Sequence, residues 1–150
     1  MNLKSRLILA TIGITVIALF IGLMAFAWRN DVSDQEQFSG FLNRPLEIKR
    51  AGVIIKKEGR FADYGMDSQE ALANFTAEQL LNPGDKLEFY AAKSYYSIHV
   101  GTSYYLLGRD TLSSGEVVSF EYFLSDYSPR IWETLAEFLE RKEQENILKK

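Results

Sequence analysis

The longest apolar segment of the chain runs from Leu7 to Trp28, where 22 consecutive residues include no charged side chain. At the helical rise per residue, this segment is about 33 Å long, which matches the hydrocarbon core of a bilayer. A single segment that crosses lipid must satisfy its own backbone hydrogen bonds, so it must be a helix. Residues 7–28 are therefore predicted to form a transmembrane anchor.

A short basic segment, residues 1–6, precedes the apolar segment. This layout is typical of a signal-anchor, and it predicts a single-pass protein with a cytoplasmic N-terminus and an extracytoplasmic domain, as in the bacterial inner membrane facing the periplasm. The alternative is a secreted protein released by cleavage after Ala27, because Ala25-Phe26-Ala27 has the small-x-small form of a cleavage site. The apolar segment exceeds the usual signal-peptide core of about 7–15 residues, which favours the anchor.

Small residues repeat along one face of this predicted helix with a period of 3.5 residues. They are Thr11, Thr15, Ala18, Gly22 and Ala25. In lipid, helices associate by close packing and by hydroxyl hydrogen bonds, and small residues let two backbones approach. The alternative is chance, since eight of the 22 residues are Gly, Ala or Thr. The stripe is a candidate for membrane helix packing, either with a second copy or with a partner's helix.

The remainder of the chain changes to a pattern of short strands. Residues 29–40 are polar with little periodicity and are predicted to be a linker. Residues 41–150 are predicted to form one small extracytoplasmic domain. Alternating apolar and polar positions with short turns predict five or six strands in an antiparallel meander, curled or closed into a small barrel. These strands lie near 46–55 and at 60–64, 86–91, 94–100, 103–108 and 117–124.

Two helical elements complete the predicted domain. Asp67 to Leu81 is predicted as a short helical insert, because Asp67 with Glu70 has the spacing of a capping box. Ser128-Pro129 has the residues of an N-cap and a first helical position, and it predicts a C-terminal amphipathic helix that covers the open side of the sheet. The predicted fold class is therefore α+β, with an N-terminal transmembrane helix, a small antiparallel sheet or barrel, a helical insert and a C-terminal helix.

Charge and composition restrict the classes of function. The 122 residues after Trp28 contain all 20 acidic side chains and 15 of the 17 basic ones, so their net charge is −5, which argues against nucleic acid as a partner. Six basic residues are concentrated between Arg44 and Arg60. They form either a solvated strand face or a surface that contacts anionic headgroups or an acidic partner. The chain has no Cys, which excludes disulfides, thiol catalysis and thiolate metal sites.

Two groups of residues are candidates for catalysis, although the common catalytic motifs are absent. His99 is the single histidine, and strand alternation places it beside Tyr95 and Ser97, where it would act as a general base or as one polar residue of a strand face. The second group would bind a divalent cation or consist of capping and solvated carboxylates. It comprises Asp63, Asp67 and Glu70.

The eight tyrosines point instead to an interface. Adjacent tyrosines at 95–96 and 104–105 must point to opposite faces of a strand, so one ring of each pair leaves the core side. Exposed tyrosine is common in interfaces, unless the C-terminal helix covers that face. We therefore predict a non-enzymatic binding or accessory domain without cofactor or metal, whose partner-binding residues are Tyr95, Ser97 and His99. The predicted partners are the membrane and an envelope protein or a second copy of this chain, and the alternatives are a secreted binding protein and a small envelope enzyme.

Overall fold

The computed structural model describes residues 3–25, 27–69 and 75–148. Two helices flank a series of eight strands. In chain order the elements are α1 (Leu3–Ala25), β1 (Ala27–Asp31), a 3-10 turn (Glu36–Phe38), β2 (Pro45–Glu47), β3 (Gly52–Lys56), β4 (Tyr64–Ser68), β5 (Ala77–Leu81), β6 (Lys86–Ser97), β7 (Gly101–Thr111), β8 (Val117–Phe123) and α2 (Leu135–Leu148).

The strands form one mixed sheet in the order β1-β6-β7-β8-β4-β3-β5, and β2 also pairs with β6. Strands β6, β7 and β8 form an antiparallel meander, with Gly101 at the start of β7 and Gly115 in the turn before β8, both at positive φ. Such φ values are easily adopted by glycine. The pairing of β4 with β8 is parallel and extends over three residue pairs, from Tyr64↔Phe120 to Met66↔Tyr122. It joins the meander to the antiparallel unit of β3, β4 and β5.

The hydrophobic core lies on one face of this sheet and is centred on Phe89. Its side chain is fully buried, and its ring centroid lies 5.6–6.1 Å from those of Phe120, Tyr122 and Trp132. Phe38, from the 3-10 turn, is also buried and packs against Tyr104. Alternate positions of the strands supply the core, because successive side chains of a strand point to opposite faces.

The predicted fold class is wrong in the number, direction and closure of the strands. The sheet has eight strands, one neighbouring pair is parallel, and β1 and β5 remain at its two ends, so the described strands form neither a purely antiparallel sheet nor a barrel. The residues predicted as a linker, 29–40, include most of β1 and the buried Phe38. The polar side chains of this segment gave no strand pattern, because β1 is stabilised by backbone pairing with β6.

The predicted helical insert, Asp67 to Leu81, is wrong at its two ends, where the structure has strands; Gln69 has 3-10 geometry, and residues 70–74 lie outside the described residues. Asp67 belongs to β4, Ala77–Leu81 forms β5, and Glu70 lies outside the described residues. Residues 77–81 contain good helix formers, but pairing with β3 overrides that weak preference.

The C-terminal helix begins at Leu135, six residues later than predicted. Thr134 is its cap: the Thr134 backbone N–H donates to Glu137, and the Glu137 backbone N–H donates to the Thr134 hydroxyl. These reciprocal hydrogen bonds form a capping box. Residues 128–133 are not helical because Ile131 is buried against the sheet, where its carbonyl accepts hydrogen bonds from the N–H groups of Lys49 and Arg50. No side chain of α2 is fully buried, so the predicted cover over the sheet is also wrong.

Helix α1 extends over residues 3–25, and the described side chains from 11 to 22 are exposed. A transmembrane helix needs about 20 predominantly apolar residues. Among the described residues, no helix meets the combined requirements of length and hydropathy for crossing a membrane. This finding contradicts the predicted transmembrane anchor and, with it, the predicted single-pass location with a cytoplasmic N-terminus.

We expect the first turn of α2 to loosen as the pH falls below the ordinary range of glutamate. Hydrogen bonds to Glu137 from Lys49 and Thr134 lower its pKa from 4.5 to about 2. Because the pKa is lower in the folded state, the stabilising contact is complete above pH 4.5 and is lost as the pH falls toward 2. NMR shifts of the Thr134 amide should report this transition and should lose it in Glu137→Gln. The same Thr134 transition in Glu137→Gln would contradict the assignment.

Candidate functional site

A cleft of about 950 Å³ opens where the parallel ladder between β4 and β8 ends. We call it the β4–β8 cleft. Residues 66–68 of β4 and 121–123 of β8 line it, together with the loop 57–60 and parts of the segment 125–131. Ligand pockets in proteins commonly have volumes of about 300–1,000 Å³, so this cleft is large enough for a ligand of several residues.

Four basic side chains line the β4–β8 cleft: Arg29, Arg50, Lys57 and Arg60. None of them forms an ion pair with a carboxylate of the described residues, whereas Lys49, Lys93, Arg130, Arg141 and Lys142 each form at least one. Three acidic residues also line the cleft: Glu58, Asp67 and Glu121. The balance of charge is therefore slightly positive in a chain whose net charge is −3.

The most buried of these carboxylates, that of Glu121, is hydrogen-bonded to backbone N–H groups of the protein itself. Glu121 is 5% exposed, and its two carboxylate oxygens accept hydrogen bonds from the backbone N–H groups of Arg60 and Phe61, at 3.0 and 2.7 Å. Gly59 allows this close approach, because a Cβ at that position would lie 2.6 Å from the carboxyl carbon of Glu121. Glu121 thus fixes the loop that carries Arg60, and both of its carboxylate oxygens accept hydrogen bonds from that loop.

Aromatic rings hold the two arginines at the edge of the cleft. The guanidinium carbon of Arg60 lies 4.4 Å from the ring centroid of Tyr95, and Tyr105 also lines the cleft. Burial raises the pKa of Tyr105, so this hydroxyl remains protonated at neutral pH. The guanidinium carbon of Arg29 lies 5.9 Å from the ring of Phe61, which in turn contacts Tyr105 edge-on. Stacking leaves the N–H groups at the edge of a guanidinium available for carboxylates.

The floor of the cleft is more apolar than its edge. Met66 and Ile131 are 3% and 5% exposed, and both line the cleft beside Tyr122. The Ile131 backbone N–H donates to the Tyr122 hydroxyl at 3.2 Å, which ties the segment 125–131 to β8. Burial raises the pKa of Tyr122 to about 12, so this hydroxyl also keeps its proton. The hydroxyls of Tyr105 and Tyr122 are therefore not bases at neutral pH.

The structure separates the three residues that were predicted to bind a partner. Tyr95 and Ser97 are half-buried on β6, and Tyr95 supports Arg60 at the cleft. His99 is exposed in the turn of residues 98–100 between β6 and β7, and it does not line the cleft. Partner binding through Tyr95, Ser97 and His99 stays a prediction, and the geometry gives Tyr95 the place nearest the basic side chains.

The two other groups of candidate residues are only partly described. Asp63 precedes β4 and is exposed, the Asp67 carboxylate accepts a hydrogen bond from the Ser68 N–H, and Glu70 lies outside the described residues. Within the described ranges, no group of three or more His, Asp or Glu side chains is placed to hold a metal ion.

The stripe of small residues lies on α1. Thr15 donates a hydrogen bond to the Thr11 carbonyl at 2.9 Å, Ala18 and Gly22 are exposed, and the Ala25 side chain is not described. Packing of this stripe against another helix stays a prediction.

Sequence reasoning missed the contributions of Arg29 and Glu121 to the cleft. The basic segment 44–60 was a usable signal, because Arg50, Lys57 and Arg60 belong to it. Arg29 and Glu121 had no such signal, since their positions depend on the pairing of β1 with β6 and of β4 with β8. In comparisons with known proteins, the chain matches no family model, and no significant similarity to a curated protein or to a solved structure is found.

Proposed function

We propose that this protein is a non-enzymatic binding or accessory module that recognises an acidic segment of a protein partner in the β4–β8 cleft. The observation that supports this proposal is the set of four basic side chains without a carboxylate partner, next to a glutamate whose acceptors are occupied by the backbone. A partner carboxylate would supply the missing counter-charge. Arginine and tyrosine, which form the edge of this cleft, are also the residue types most enriched in binding hot spots.

The distribution of charge favours an acidic protein segment over a nucleic acid. The chain as a whole is acidic, so a long polyanion would be repelled by the surface beyond the cleft. A short acidic segment would contact only the local positive charge. Planar guanidinium groups that are fixed by aromatic rings are suited to bidentate contacts with carboxylates.

The test is fluorescence anisotropy of the full chain with a labelled hexaglutamate peptide and with a hexaglutamine peptide of the same length. We expect hexaglutamate alone to bind, and we expect Arg60→Gln and Lys57→Gln each to weaken binding about tenfold, the effect of losing one charge-assisted hydrogen bond. Arg109→Gln is the matched control. Its guanidinium is stacked 4.6 Å from the Tyr90 ring, and Arg109 does not line the cleft.

Two further variants in this assay separate the cleft from the hairpin turn. Tyr95→Ala should weaken hexaglutamate binding because it removes the ring that supports Arg60, while His99→Gln should leave binding unchanged. Equal binding of the two peptides, or equal effects of Arg60→Gln and Arg109→Gln, would refute the proposed site. Loss of binding in His99→Gln would move the site to the turn between β6 and β7.

A further inference from the structure

We infer that the acidic segment binds as an extended strand along the β4–β8 cleft and that its acidic side chains alternate with apolar ones. This inference rests on the proposed function and specifies the chemistry of the partner. Three observations support the inference. The β4–β8 ladder ends within the sheet, and charged and apolar side chains surround that point. The basic side chains are also spaced along β4.

The sheet provides backbone edges at this point. The parallel ladder ends at Met66 and Tyr122, but β4 continues through Asp67 and Ser68. On its other side, β4 stays paired with β3, where Asp67 lies opposite Val53 and Ser68 opposite Gly52. The edge of β4 that faces the cleft therefore has no strand partner among the described residues beyond Met66. An unpaired strand edge is a template for another extended chain.

The Ser68 amide shows how a backbone donor on this edge of β4 is hydrogen-bonded when no ligand is bound. Its N–H donates to the carboxylate of the neighbouring Asp67 at 2.8 Å. On the opposite wall, Phe123 of β8 is paired with Tyr105 of β7, and its carbonyl accepts a hydrogen bond from the Ser125 N–H. Local contacts of this kind cover backbone groups where no strand is present. A ligand carbonyl would replace the Asp67 carboxylate at Ser68 and continue the sheet.

The chemistry of the cleft suits a ligand with two different faces. The floor contains the apolar side chains of Met66, Ile131 and Tyr122, whereas Arg60 and Lys57 lie at the edge. Successive side chains of an extended strand point in opposite directions. An alternating segment would therefore place its apolar side chains on the floor and its carboxylates toward the basic side chains. A segment with acidic residues at every position would place half of its carboxylates against the floor, so hexaglutamate should bind less tightly than an alternating Glu-Val peptide.

The basic side chains lie within reach of one short extended ligand. Lys57 lies beside Gly65, at one end of β4, and Arg50 lies near the other end, where Gly52 pairs with Ser68. Arg50 is held there by a hydrogen bond to the Pro129 carbonyl at 3.3 Å. From Gly65 to Ser68 an extended chain of four residues advances about 10 Å, so a hexapeptide is long enough to reach both basic side chains.

The experiment measures anisotropy of the full chain with four labelled hexapeptides. The first alternates glutamate and valine, the second and third are the same peptide with backbone N-methyl groups on the odd or on the even residues, and the fourth alternates lysine and valine. N-methylation removes backbone donors and leaves the charge unchanged. We expect the Glu-Val peptide to bind at least about tenfold more tightly than one or both N-methylated peptides and the Lys-Val peptide not to bind.

The outcomes separate the inference from the proposed function. If both N-methylated peptides bind as tightly as the Glu-Val peptide, the extended strand is refuted while recognition of an acidic segment stands. If the Glu-Val and hexaglutamate peptides both fail to bind, the proposed function is refuted together with the inference. Hydrogen exchange gives a second measurement: the Glu-Val peptide should slow exchange of the Ser68 amide in the cleft and leave that of the Tyr90 amide on β6 unchanged. Unchanged exchange at Ser68 with bound peptide would also overturn the strand.

Discussion

Replacing Phe89 with alanine should lower the free energy of unfolding by about 3–5 kcal/mol, the range observed when a buried aromatic residue is truncated in a packed core. The Phe89 side chain is fully buried and contacts three aromatic rings. Those rings come from β8 and from the segment before α2, so the cavity would affect several elements at once. Urea denaturation monitored by circular dichroism measures the change.

Tyr90→Ala is the matched control for Phe89→Ala. Tyr90 is the next residue of β6, points to the opposite face and is 38% exposed. Its contact with Arg109 is an exposed cation–π pair, so its loss should cost no more than about 1 kcal/mol. The denaturant slope should stay constant if both variants change stability alone. A cost for Phe89→Ala as small as that for Tyr90→Ala would show that the core is not centred on Phe89.

The sequence was most informative where local pattern and tertiary structure agree. The strand predicted at 117–124 corresponds to β8 at Val117–Phe123, and its alternate positions Val118 and Phe120 are buried. Here the period-two pattern arises directly from burial on one face of a sheet. By contrast, β5 and β1 have no clear alternation, because each lies at an end of the sheet and depends on one neighbouring strand.

Long-range pairing set the limit of what could be predicted about the cleft. The parallel register of Tyr64 with Phe120 joins residues 56 positions apart, and nothing in either segment indicates the other. The cleft exists because this ladder is short, so its position could not be derived from local pattern. The basic segment and Tyr95 could be singled out, but their convergence depends on the Arg60 loop that Glu121 holds.

The start of α2 illustrates a competition between two local signals. Ser128-Pro129 and Thr134 with Glu137 both have the residues of a helix start. The later signal prevails because Ile131 is buried and its backbone groups bond to Tyr122, Lys49 and Arg50. A helix beginning at Ser128 would break those bonds. Tertiary burial of one residue therefore decided between two caps that are locally similar.

No side chain of α2 is fully buried, and its ionic contacts with residues outside the helix are those of Glu137 with Lys49 and of Arg141 with Glu133 among the described residues. Arg141 donates two hydrogen bonds to the Glu133 carboxylate, from Nε at 2.9 Å and from Nη2 at 3.1 Å. The same carboxylate accepts the Arg130 backbone N–H at 3.0 Å and forms an ion pair with the Arg130 guanidinium. The side chain of Glu133 is 11% exposed, so these contacts are shielded from water.

Replacing Glu133 with alanine should therefore cost about 3 kcal/mol, because it leaves two largely buried arginines without their shared carboxylate. Burial already lowers the pKa of Arg130, which shows that its charge is held in an unfavourable environment and needs the neighbouring anion. Glu140→Ala is the control, since Glu140 is exposed on α2 and forms no ion pair in the described structure. Its cost should stay within about 0.5 kcal/mol.

Limited trypsin digestion gives an independent measure of the same contact. If Glu133 holds α2 against the sheet, Glu133→Ala should accelerate cleavage after Arg141 and Lys142, while Glu140→Ala should not. This comparison separates a local release of the helix from global unfolding, because cleavage within the β6–β7–β8 meander should not accelerate to the same extent. Equal rates of cleavage at Arg141 in the two variants, together with equal unfolding free energies, would show that α2 is held by contacts other than the Glu133 carboxylate.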